Sequence, residues 1–106
     1  MTKSFAASVR EDVRLAILQI LARDLGQSCN HVIMRDAIEA AMAHSLTEDE
    51  IREHFAWLEN QGLIRTEAIG RYVVATLHRK GRLVVQGRER VEGVRLPDVD
   101  ERADYL

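Results

Sequence analysis

Between positions 65 and 82 the chain carries Arg65, Arg71, Arg79, Lys80 and Arg82 against a single acid, Glu67. Cations at that density suit phosphate oxygens, arginine through its planar fork and lysine as a point charge. Gly70-Arg71 falls at a turn between two strand-like runs. A guanidinium there stands at a hairpin tip, where it can grip a phosphate or enter a narrow groove. The plainer alternatives are a solvated basic surface, or arginines paired with acids elsewhere in the chain. The net charge of −2 over 106 residues conceals this patch. Residues 1 to 62 hold six Lys/Arg and ten Asp/Glu, residues 63 to 97 eight and three, and residues 98 to 106 one and four. Local potential, not total charge, decides contact with phosphate.

Other chemistry is thinly represented. Cys29, His31, His44, His54 and His78 are scattered, and only Cys29-x-His31 is close-spaced. A zinc site needs three or four ligands in suitable geometry, so these read as polar helix-end and surface histidines beside a small buried or loop thiol. No base stands near Cys29 in sequence to make it a nucleophile. Glycine-rich phosphate loops and the H-E-x-x-H pattern are missing. The acids at Glu11-Asp12 and Glu48-Asp49-Glu50 lie at expected helix starts, where they favour the helix dipole. The sequence therefore predicts a binding protein with no catalytic residue, cofactor or metal.

Periodicity supplies the elements that would position these cations. Val9, Val13, Ala16, Ile17, Ile20 and Leu21 recur at steps of three and four, giving a first helix that ends near Gly26, with Ser8-Val9-Arg10-Glu11 as a candidate capping box and a frayed or helical lead before it. Gln27-Ser28-Cys29-Asn30 reads as a connection, and Asn30 as the cap of a second helix from about His31 to His44 with Met34, Ile38, Ala41 and Met42 on one face. Thr47-Glu48-Asp49-Glu50 is a capping box for a third helix, in which Ile51, Phe55 and Leu58 face inward against Val13, Ile17 and Leu21. Asn60-Gln61-Gly62 stops it. Leu63-Ile64-Arg65 and Tyr72 to Leu77 form a hairpin, and a last helix runs from about Arg79 to Arg90 with Leu83 and Val84 inward. Pro97 and Asp98-Val99-Asp100-Glu101 read as extended or disordered. The division is thus a domain of residues 1–97 and an acidic, flexible tail of residues 98–106. That tail, at −3 on a short tether, is expected to compete for the basic patch.

Phe55-Ala56-Trp57-Leu58-Glu59-Asn60-Gln61-Gly62-Leu63-Ile64 resembles the passage from recognition helix into wing of winged helix-turn-helix regulators of the MarR and ArsR kinds. Ala75-Thr76-Leu77-His78-Arg79-Lys80-Gly81 resembles their passage from wing into the last helix, with His78 where Thr or Ser is usual. The closing Gly87-Arg88 and Val91 to Pro97 is similar to small winged-helix proteins of Mu-like phages and prophages. The likeness covers about Val9 to Pro97. It implies a mostly helical α+β winged helix: three helices, a β-hairpin wing and a C-terminal helix. It also implies a phage or prophage transcription regulator that binds double-stranded DNA.

In such a fold the third helix would enter the major groove. A 100° step per residue puts Asp49, Glu53, Ala56 and Asn60 on its outward face, with Arg52 and Trp57 on the flanks. That face is acidic, which speaks against ordinary groove reading and for a rival role, a protein-interaction module whose acidic third helix docks a partner. The residues expected to touch DNA are Arg52, Asn60, Arg65, Arg71, Arg79, Lys80 and Arg82. Trp57 and the run Leu83-Val84-Val85 exceed what one small core is expected to cover, which predicts a homodimer. With one cysteine, no apolar run near about 20 residues and no signal-like N-terminus, the expected location is cytoplasmic and no membrane partner is expected.

Overall fold

The first helix begins earlier than its capping pattern suggests. In the computed structural model, which describes residues 2–106, α1 spans Phe5–Arg23 and its N-cap is Ser4, whose hydroxyl accepts from the Ala7 N–H at 3.1 Å. Ser4 supplies the same hydroxyl acceptor as Ser8, and Ala6-Ala7 then continue the helix without a break. The helix also stops before Gly26. Asp24 turns extended, and its Oδ2 accepts from the Gly26 and Ser28 N–H groups at 2.9 and 3.4 Å. The chain thus leaves the helix by an Asp-built turn.

The next residues are not a plain connection. Ser28–Asn30 forms β1, and Asn30 Oδ1 then accepts from Val32 and Ile33 N–H to start α2 (His31–Met42). Met34 and Ile38 are buried, Met42 is half-buried, and Ala41 faces solvent. The helix ends on Ala43 in the left-handed region. α3 (Glu48–Asn60) carries the expected capping box, with Glu50 N–H to Thr47 Oγ1 and Thr47 N–H to Glu50 Oε1 both at 3.0 Å. Ile51, Phe55 and Leu58 are buried in one cluster with Val13, Ile17 and Leu21.

β2 (Ile64–Ile69) and β3 (Tyr72–Leu77) form the hairpin through Gly70, and β1 pairs with the other edge of β3, giving an antiparallel sheet in the order β1-β3-β2. α4 spans only Arg79–Val85. Its early stop follows from Gly87, whose φ of +74° is left-handed and lets its N–H reach the Val84 carbonyl. Val84 and Val85 are buried and Leu83 is half-buried, so Val85 does not call for a second subunit. Trp57 is half-buried, with the Arg14 guanidinium 3.9 Å from its ring centroid and Gly93 against its edge.

The acidic C-terminal residues contain a fifth helix, α5 (Val99–Ala103), with a capping box between Asp98 and Glu101. They are ordered by tertiary contacts that composition does not reveal, described below. The described residues therefore form an α+β fold of five helices and three strands, one helix and one strand more than the sequence alone predicts.

Candidate nucleic-acid interface

Residues directly opposite in an antiparallel pair share one face of the sheet. Ile64 and its partner Leu77 face the core. Arg65, one position on, therefore shares the outer face with Thr76 and Ser28. The Ser28 and Thr76 hydroxyls bond each other at 2.7 Å, which fixes β1 against β3 beneath the arginine. Arg71 follows the Gly70 turn and is exposed, its guanidinium 5.0 Å from the Tyr72 ring centroid. Strands of this length put the tip roughly 17–20 Å from the base. Arg71 is thus separated from the remaining cations, whereas Arg79 and Lys80 sit at the base.

The base is held to the end of α3 by several bonds. Lys80 Nζ donates to the Gln61 carbonyl at 3.2 Å, and the His78 N–H donates to the Leu63 carbonyl at 3.0 Å. Glu59 accepts from both the N–H and the hydroxyl of Thr66, at 2.7 and 2.9 Å, fastening β2 to α3. This brings exposed Asn60 next in the chain to the Lys80 anchor. His78 gives α4 no side-chain cap, in keeping with its departure from Thr or Ser. Gly81 takes up the close approach instead: a Cβ there would collide with the Leu63 carbonyl and with Leu77.

Among the described residues, Arg65, Arg71, Arg79 and Lys80 form no salt bridge with a carboxylate. Two other expected site residues are engaged within the chain. Arg82 is half-buried and donates to the Gln27 side-chain carbonyl, and Arg52 pairs with Asp49 one turn before it. The acidic tail is not bound to this patch. Glu101 accepts from Arg95 through both terminal nitrogens, at 2.9 and 3.1 Å, and from Gln19 at 2.8 Å, while Arg95 Nε meets Asp12 at 2.6 Å. Those bonds, with Arg95 foremost, hold the Glu101 carboxyl at about 2.

Two histidines do more than surface placement predicts. His31 is buried, its Nδ1 accepting from the Val73 N–H at 3.1 Å and its Nε2 facing Glu48 at 3.3 Å, so it ties α2 to β3 and α3. His54 is half-buried, and burial followed by the nearby Arg14 lowers its pKa to about 4. Burial, then Asp24, raises the Cys29 thiol, which makes it a poorer nucleophile. Among the described residues no three His, Cys, Asp or Glu side chains gather as metal ligands, and no helix is long and apolar enough to cross a membrane. Neither Glu59 nor His31 carried a sequence signal, because their partners Thr66 and Val73 are identified only by the fold.

The class these observations define is an α+β domain whose three-stranded sheet presents a basic hairpin braced by the end of a helix. The chain is 37% identical over 87 residues to the uncharacterized protein gp26 of Escherichia phage Mu, covering 82% of this chain and 88% of that protein. It is 33% identical over 75 residues to an uncharacterized protein of Haemophilus influenzae, covering 70% and 72%. The chain belongs to the family of phage Mu gp26. No family model matches it, and no solved structure matches it.

Proposed function

We propose that this protein is a winged-helix DNA-binding protein, a transcription regulator of phage or prophage origin, with β2 and β3 as its wing. The single observation that carries the reading is the set Arg65, Arg71, Arg79 and Lys80: exposed, on one hairpin and the helix that follows it, and without carboxylate partners among the described residues. Their role is to hold phosphates, with Arg71 at the tip and Arg79 and Lys80 at the base, and Asn60 beside them at the end of α3. Arg52 and Arg82 make a smaller contribution, since both are already engaged. The relation to a phage protein supports the assignment of origin. The role is binding, not catalysis.

The test is binding to duplex fragments at several salt concentrations. Four phosphate contacts give a slope of log K against log salt of roughly −3 to −4. Replacing all four cations by alanine should remove most of the slope and of the affinity together, while the thermal transition stays cooperative and falls only slightly through loss of the Lys80–Gln61 bond. Unchanged binding by that variant sinks the reading. The rival, a protein-interaction module without DNA contact, is favoured by the acids on α3, where Asp49 and Glu53 are exposed. It predicts no salt-dependent duplex binding at all.

A further inference from the structure

A groove of about 550 Å³ lies between the first half of α1 and α3 and includes no residue of the hairpin in its lining. Its floor is apolar, built from Val9, Val13, Leu46 and Trp57. Phe5 stands on its rim with 85% of its surface exposed, although an apolar recess lies beside it. A large aromatic left in water at the edge of an apolar groove implies a second surface that receives it.

The charges on the two sides point to what that surface is. Arg10 lines the groove from α1 and Glu53 lines it from α3. Both are exposed, and neither has an ion-pair or hydrogen-bond partner among the described residues. Arg14, by contrast, is occupied by Trp57, His54 and the Gly93 carbonyl. A groove with one free cation on one wall and one free acid on the other is self-complementary under a two-fold axis, where residue i of each copy meets residue j of the other.

We infer that a second copy of this chain fills the groove, as a two-fold dimer in which Phe5 of each copy seats against Leu46 and Trp57 of its partner and Arg10 pairs with Glu53 across the interface. This site is separate from the proposed DNA contacts and stands or falls without them. It also gives the acid on the outward side of α3 a role, since Glu53 then faces protein and not phosphate.

Sedimentation equilibrium from about 1 μM to about 1 mM tests it. The wild type should approach twice the 12.1 kDa of one chain as concentration rises. Phe5→Glu should stay at the single-chain mass, with an unchanged circular-dichroism spectrum because the ring is already exposed. Arg10→Glu alone and Glu53→Arg alone should each weaken the dimer about tenfold or more, since symmetry turns both pairs repulsive. Mixing these two variants should restore it as a heterodimer, because one pair is then the native Arg10–Glu53 and the other is the same pair with its signs reversed. A wild type that stays monomeric throughout overturns the inference. So does a dimer indifferent to Phe5→Glu or to the charge reversals, and so does a mixture no tighter than either variant alone.

Discussion

At the C-terminal end Arg95 holds Glu101 through both terminal nitrogens and Asp12 through Nε, and Arg102 donates to the Pro97 carbonyl at 3.0 Å. On the hairpin and the start of α4, Arg65, Arg71, Arg79 and Lys80 form no salt bridge among the described residues. Arg95 belongs to the same basic stretch of residues 63–97 as the hairpin cations, and nothing in the sequence separates it from them. The first set ties distant parts of one chain together, and the cations of the second remain available to an external anion. A count of cations is therefore a poor measure of binding charge, because the geometry of the carboxylates decides how much is already neutralised.

The comparison presupposes a core that holds both regions in place, and the largest effect should come from breaking it. Phe55 is 1% exposed, and Phe55→Ala should cost roughly 3–5 kcal/mol in denaturant unfolding. A cost below about 1 kcal/mol would show that α3 does not pack as described. Gly81→Ala is the next in size. Its methyl meets the Leu63 carbonyl and lies 2.6 Å from Leu77 Cδ1, and strain of that kind costs typically 1–3 kcal/mol. Because Arg79 and Lys80 ride on the displaced turn, duplex binding should weaken as well; a stable variant with full binding would separate α4 from the site.

Two single substitutions sharpen the contrast directly. Arg95→Ala should lower stability by about 1 kcal/mol, the scale of a bidentate pair near the surface, and leave duplex binding unchanged. Arg71→Ala should do the reverse, weakening binding to all sequences and reducing the salt slope by about one unit with no change in the unfolding midpoint. If both variants moved the same observable, the two regions would not be distinct. The bound Glu101 also revises the expectation for the tail. Truncation after Pro97 should lower stability, through loss of the Arg95 and Gln19 contacts, more than it raises DNA affinity at low salt.

The smallest effect is on pH dependence. His54 is held at about 4, below its ordinary 6.5, so the unfolded chain binds more protons between those values and stability falls as pH drops through that window. Glu101 is held at about 2, below 4.5, so its contribution is present above about 4.5 and is lost on further acidification toward 2. His54→Gln should flatten the upper part of the unfolding curve against pH, and Glu101→Gln the lower part. A slope in the upper window that survives in His54→Gln would assign it to another group.

The sequence by itself determined what depends on neighbours three or four residues away: the Thr47 capping box, the Asn30 cap, the buried face of α3 and the turn at Gly70. Such features need only a residue type and a spacing. It also exposed the cations of the hairpin as a set. The tertiary structure decided which of them stay free. Arg82 finds Gln27 across 55 positions, Glu101 finds Gln19 across 82, and the His31 ring finds the Val73 N–H across 42. β1 is three residues long and exists because β3 offers it an edge, and α5 orders on contacts with Arg95 and α1. None of these pairings has a local signal. Each arises when packing of the core brings distant polar groups within bonding distance and removes the water that would otherwise satisfy them.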